Sequence, residues 1–313
     1  MKTGLLDSGH FELALGCSIF ATSSLLIRWL DLPGQVISLF RLALGASALL
    51  LYGFRFNLLQ GIPARRDRLL VILLGAIASV TILTFILGLQ YTSVANTNLL
   101  FFVSPVVTPF LAYMHLNESI RKSALGALLL AVVGVFLVGY PKLGVSGSRD
   151  VIGMALAFGG GCLASYATVL RKMVDDSVSS HTIAACQYTV AALATLPLVL
   201  LGGSSFTIQP VYLLLLLILG VFNTGFAGLM LIDGTGKIPA QDVAVLRYTE
   251  PVGAIVLAWL FLSEAPNLST VLGGGLILLA GYLVVRQPGA ASKAIKLSQV
   301  GGGPDQQCPT GGG

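Results

Sequence analysis

Residues 105–118, PVVTPFLAYMHLNE, return 146 residues later as residues 251–264, PVGAIVLAWLFLSE. Pro105 and Val106 become Pro251 and Val252; Leu111, Ala112, Leu116 and Glu118 become Leu257, Ala258, Leu262 and Glu264. The same spacing carries Phe20, Ala21 and Thr22 onto Tyr166, Ala167 and Thr168, and Ala46 and Ala48 onto Ala192 and Ala194. Between these blocks the offset slips to 145, so that Leu74-Gly75 matches Leu219-Gly220 and Ala95 matches Ala240. One spacing held across most of a chain marks a duplicated unit.

Composition says what kind of unit it is. Hydrophobic residues make up 55% of the chain and charged residues 10%, with a mean hydropathy of +0.89. Ordinary soluble domains are about 25% charged, and one soluble core of this size cannot hide so much apolar surface. A hydrocarbon layer about 30 Å thick asks for about 20 apolar residues per helix. That ruler places ten spans near 11–30, 34–54, 69–89, 93–114, 121–140, 151–172, 180–202, 210–233, 240–262 and 268–286. Turn or charge signals separate them: Asp31-Leu32-Pro33-Gly34, Arg65-Arg66-Asp67-Arg68, Pro141-Lys142, Gly202-Gly203-Ser204-Ser205 and Ala265-Pro266-Asn267. The weakest breaks, 90–93 and 233–239, lie at matching places in the two halves. The first span has no small-residue cleavage site and runs into Arg28-Trp29-Leu30-Asp31, so it reads as a retained helix. Past residue 287 the chain is rich in Gly, Ser, Gln and Lys and reads as a disordered tail.

The basic residues set an orientation. With a cytoplasmic N-terminus, the inner segments hold Lys2, Arg55, Arg65, Arg66, Arg68, Arg121, Lys122, Arg171, Lys172, Lys237, Arg286, Lys293 and Lys296. The outer loops hold only Arg28, Lys142 and Arg149. Both termini, Cys308 included, are therefore expected in the cytoplasm. The net charge of +5 is a topology signal and no argument for nucleic acid. Five spans per copy is an odd number, so the second copy enters the membrane from the opposite face. The expected fold is an all-α integral membrane protein of ten transmembrane helices, arranged as two inverted five-helix repeats over 1–145 and 146–287, with a tail over 288–313. Inverted repeats give a central cavity two nearly equivalent ways to open, which is the mechanical basis of alternating access.

Ionisable groups at membrane depth are costly and usually functional. Arg41 lies seven residues into the second span, roughly 10 Å deep at about 1.5 Å per residue; its partner in the other copy is Gln187. Arg247 and Glu250, three apart and so on one helix face, lie in the ninth span. Either they form an ion pair that locks helices together, or they serve a ligand. Arg41 likewise either ties down its helix end or binds. Pro105 and Pro251 remove helical bonds to Phe101 and Arg247 and so mark kinks. Freed carbonyls at this depth must be satisfied or face a wet cavity. The cavity is expected between the halves, lined by spans two, four, seven and nine. Runs such as Gly153-x3-Ala157-x3-Gly161 and Gly220-x3-Thr224-x3-Gly228 read as close helix packing. Cys17, Cys162 and Cys186 fall within spans with no metal-like spacing, and His10, His115 and His181 lie at span ends. No metal, no cofactor and no catalytic site is expected.

The chain resembles the EamA-type members of the drug/metabolite transporter superfamily over about residues 11–287, as two copies. The resemblance rests on Phe20-Ala21, Arg28, Pro33 and Arg41, and on Pro105, Glu118 and Gly126 repeated as Pro251, Glu264 and Gly273. Phe20-Ala21 stands where Trp-Gly is more usual. The resemblance implies ten helices with cytoplasmic termini, a bacterial inner (plasma) membrane, and export of amino acids or similar small metabolites. The candidate substrate residues Arg41, Gln187, Arg247 and Glu250 rest on membrane depth instead. An amino acid needs a cation for its carboxylate and an acceptor for its ammonium. The arginines suit the first, and Glu250 either supplies the second or carries a proton as the coupling ion. The rival readings are a carrier of phosphorylated metabolites or nucleotide sugars, which asks for more cavity cations than Arg41 and Arg247, and a non-transporting scaffold or multi-span enzyme.

Overall fold

The computed structural model describes residues 8–59, 61–62, 64–92, 94–102, 104–118, 120, 122–139, 147–202, 209–262 and 268–286. Lys142, Glu264, Cys308 and the tail over 288–313 lie outside the described residues. The described chain is helical, with no strand among these residues. In order it forms α1 (Ser8–Phe20), α2 (Thr22–Arg28), α3 (Gly34–Arg55), α4 (Arg65–Tyr91), α5 (Val94–Phe101), α6 (Ser104–Leu116) and α7 (Lys122–Gly139). The second half gives α8 (Ser148–Met173), α9 (Ser180–Leu201), α10 (Pro210–Leu217), a π-helical segment (Ile218–Ala227), α11 (Gly228–Lys237), α12 (Ala240–Leu246), α13 (Thr249–Leu262) and α14 (Leu268–Arg286).

Six of the expected spans are single runs long and apolar enough to cross a membrane: Gly9–Arg28, Gly34–Arg55, Arg65–Tyr91, Ser148–Met173, Ser180–Leu201 and Pro210–Lys237. The apolar stretches Lys122–Leu137 and Val271–Ala280 are shorter. The fourth and ninth expected spans each form two helices, ending at Phe101 and resuming at Ser104, and ending at Leu246 and resuming at Thr249. The weak breaks near 90–93 and 233–239 are helix ends, at Tyr91 and Lys237. Large apolar side chains such as Leu51, Leu200, Leu201 and Leu260 stand exposed along the helices. Water would penalise such a surface and lipid accepts it.

Local signals account for several helix ends. Asn57 takes φ 53° just after α3, and the Leu58 amide donates to the Gly53 carbonyl at 2.9 Å. This is a left-handed helix cap, which asparagine tolerates without a large steric cost. Ser179 caps α9, its hydroxyl accepting the Thr182 amide at 3.2 Å. Between α8 and α9 the Asp175 carboxylate accepts the Ser177 amide at 2.8 Å, and bonding to Ser177 holds this exposed carboxyl below its ordinary range.

The packing repeats the duplication. α7 lies against α14, its counterpart in the other half. α3 packs on α9 and on the π segment, while α9 packs on α3 and α4. α4 packs on α8 as α11 packs on α1. Tyr248 donates its hydroxyl to the Phe102 carbonyl at 2.9 Å, and these two residues are themselves 146 apart. The glycine runs serve packing. A Cβ on Gly161 would fall 2.5 Å from the Phe101 carbonyl oxygen, and one on Gly228 would run into the Tyr188 hydroxyl.

Candidate functional site

Arg41 lies where α3 crosses the π segment. The crossing is close because glycine stands on both sides. A Cβ on Gly220 would lie 2.5 Å from Leu44 Cβ, and one on Gly45 would lie 2.8 Å from Thr224 Cγ2. At this range Arg41 Nε donates to Thr224 Oγ1 at 2.9 Å, and Nη2 donates to Ser23 Oγ at 3.4 Å. The guanidinium also stands over the Phe20 ring, 4.9 Å from its centroid. Ser23 donates onward to Asn223 Oδ1 at 2.5 Å, and Asn223 Nδ2 donates to Thr22 Oγ1 at 2.7 Å. One polar network therefore joins α2, α3 and the π segment around a cation that is only 2% exposed. Thr224 Oγ1 donates to the Leu219 carbonyl five residues back, at 3.2 Å. π-helical insertions of this kind are frequent at functional sites.

Arg247 and Glu250 stand on the two sides of the break between α12 and α13. The Glu250 amide donates to the Arg247 carbonyl at 3.2 Å, so the carbonyl expected to be freed by Pro251 is satisfied within the turn. The side chains behave differently. Among the described residues no ion pair joins Arg247 to Glu250, and Arg247 Nε is buried without a hydrogen-bond partner. Arg247 and Arg41 are the two cations that act on the Glu250 carboxylate. A purely structural lock would close this pair; here both groups stay open to a cavity.

That cavity, about 150 Å³, is lined by all four of Arg41, Gln187, Arg247 and Glu250. Arg41 and Gln187 are repeat partners, and so are Phe101 and Arg247, which also line it. Its wall includes Leu74, Ala78, Thr81, Ile82 and Phe85 of α4. These residues cover about three turns of α4. The expected lining from spans two, four, seven and nine is too narrow: α1, α2, α4, α8 and α11 contribute as well. Pro105 and Pro251 are not in the lining. Each lies in the first turn of a helix just past a break, where the missing amide costs little. The kinks they were expected to make are therefore full breaks, and the residues before the prolines are the ones that reach the cavity.

Sequence reasoning missed two features. Arg171, counted above only among the basic residues of the inner segments, is buried and lines the cavity with Ala164, Ala167 and Thr168. Their spacing of three, four and seven is one face of α8, and that small and polar stripe was the available signal. His10 lies 3.4 Å from Asp242, both deeply buried, across 232 residues. Nothing in the sequence pairs them. Nearby, Lys237 bridges Glu12 at 2.7 Å and Asp233 at 2.6 Å, and Lys172 lies 3.3 Å from Glu118. Among the described residues no cluster of three or more His, Cys, Asp or Glu could hold a metal ion.

Two stretches of the chain, residues 7–140 and 151–286, match the EamA-like transporter family. The pseudopaline exporter CntI of Pseudomonas aeruginosa is 27% identical over 289 residues, covering 90% of this chain and 96% of its own. The inner membrane transporter YicL of Salmonella typhimurium, described as uncharacterized, is 24% identical over 297 residues, with the same coverage of 90% and 96%. A solved crystal structure superposes with a TM-score of 0.74 over 88% of this chain and 98% of its own, at 16% identity. That likeness speaks to the fold alone.

Proposed function

We propose, from the premise that this chain belongs to the EamA-like transporter family, that it exports amino acids or similar small metabolites by alternating access of the cavity between its two repeats. The protein is an integral membrane transporter; family and relatives are transporters rather than enzymes. The repeats are taken as 1–145 and 146–287. The observation that carries the cargo reading is the open trio of Arg41, Arg247 and Glu250 on one cavity. A zwitterion is matched there: an arginine fork takes the carboxylate and Glu250 takes the ammonium. The alternative role for Glu250 is to carry a proton as the coupling ion. The direction of transport leans on the relative named as an exporter. The basic-residue bias supports cytoplasmic termini in a bacterial inner membrane.

The test is counterflow in proteoliposomes with a panel of labelled amino acids. Uptake of at least one that is lost in Arg41→Ala supports the reading. A well-folded wild type that moves none of them, but moves a sugar phosphate or nucleotide sugar, overturns it.

A further inference from the structure

Arg171 is a buried arginine with an unused donor. Its exposure is 6%, and it lines the cavity from the last turn of α8. Nε donates to the Ile232 carbonyl at 3.2 Å, and Nη2 donates to Ser180 Oγ at 3.2 Å. Nη1 is buried and has no partner. The guanidinium is seated by Gly236, where a Cβ would lie 2.6 Å from Nη2 and 3.4 Å from Nη1. Two carboxylates, Asp176 and Asp233, act on its charge. Asp176 is exposed and water-screened. Asp233 already takes Lys237 at 2.6 Å and the Ser180 hydroxyl at 2.6 Å. Neither reaches Nη1.

We propose that Arg171 is a second anion anchor in the transport cavity, and that the cargo is an amine carrying two or more carboxylates, held at one end by Arg41, Arg247 and Glu250 and at the other by Arg171. The inference rests on the amino-acid reading above and narrows it. The charged lining residues are Arg41, Arg171, Arg247 and Glu250, a surplus of two positive charges. A simple zwitterion leaves that surplus of the lining to the Asp233 carboxylate, which lies outside the lining; a dicarboxylic amine removes one charge within the cavity and a tricarboxylic amine both. Arg41 is held by Thr224 and Arg171 by the Ile232 carbonyl, about two helical turns further along the same run, which sets the two anchors at different depths. Arg171 Nη1 presents an N–H with no protein acceptor, and a carboxylate oxygen supplies one.

The experiment is competition for counterflow in proteoliposomes. Glutamate, 2-aminoadipate and 2-aminopimelate are each compared with their own ω-amide. Acid and amide differ in charge and hardly in shape, so wild type alone gives an answer. The expected result is that at least one acid competes tenfold or more better than its amide. In Arg171→Gln that preference, each acid measured against its own amide within the variant, should fall below twofold. Arg171→Lys should retain part of it, because the charge stays and the fork goes. Acids and amides competing equally in wild type would overturn the inference while leaving the amino-acid reading intact. So would a preference that survives in Arg171→Gln, or a sugar phosphate that outcompetes every acid. If neither acids nor amides compete, the amino-acid reading itself has failed and this inference falls with it. Should Arg171→Gln not fold, the wild-type comparison and Arg171→Lys still decide.

Discussion

Arg41 and Glu250 make opposite demands on the protein. Arg41 is held by hydroxyls and an aromatic face, with Glu250 its one carboxylate influence, so it remains a cation available to cargo. Removing it in Arg41→Ala should cut transport by about ten- to a hundredfold, the worth of one charge-assisted bond of about 1.5–3 kcal/mol; initial rates in proteoliposomes measure this. Among the described residues the Glu250 side chain makes no hydrogen bond or ion pair. Glu250→Gln should therefore keep its thermal midpoint within about 3 °C of wild type, a difference of roughly 1 kcal/mol for a chain of this size. Its transport, or the dependence of transport on pH, should nonetheless vanish. A variant that transports normally across pH would remove Glu250 from the mechanism. Depth alone made Arg41, Arg247 and Glu250 readable in the sequence, because a charge in an apolar run is conspicuous. Arg171 was not readable, since a cation near a span end looks the same whether it faces water or turns inward. The partners Ser23 and Thr224 were unreadable too, because hydroxyls are common in spans and their pairing depends on how helices cross.

At the scale of elements, the crossing of α3 with the π segment is the feature most easily broken. Both glycines there are filled by the opposing helix, so Gly220→Val must push Leu44 and the Arg41 carbonyl aside. Overpacking of this kind costs roughly 1–3 kcal/mol. We expect a lowered thermal midpoint, together with loss of the Arg41–Thr224 bond and of transport. Gly126→Ala, at a position with open space around it, should change neither. Span ends were largely legible, because Asp31-Leu32-Pro33-Gly34 and the basic run at Arg65 interrupt hydropathy. The division of the fourth span into α5 and α6, that of the ninth into α12 and α13, and the π segment were not. Hydropathy is the same for α, π and broken helix, and only the prolines hinted at two of the three places.

The whole molecule was legible through its repeat. The expected five spans per copy imply inversion, and the packing of α7 on α14 and of α3 on α9 repeats the duplication. Orientation is the prediction that belongs at this scale. Ser177 lies exposed between α8 and α9, on the side that the basic residues assign to the cytoplasm. With the four native cysteines replaced, Ser177→Cys should resist an impermeant thiol reagent in intact cells and react in inverted vesicles. The reverse pattern would turn the molecule over.

The bond from Tyr248 to the Phe102 carbonyl has a consequence for timing. It joins equivalent positions of the two copies, yet only one of them owns a hydroxyl. Exchanging the roles of the halves would ask Phe102 to donate to Tyr248, which a benzene ring cannot do. In the proposed alternating-access cycle the two end states would differ at this place by about one hydrogen bond, about 1 kcal/mol or roughly fivefold in occupancy. Tyr248→Phe should then shift the ratio of the two populations seen by single-molecule fluorescence by up to about fivefold.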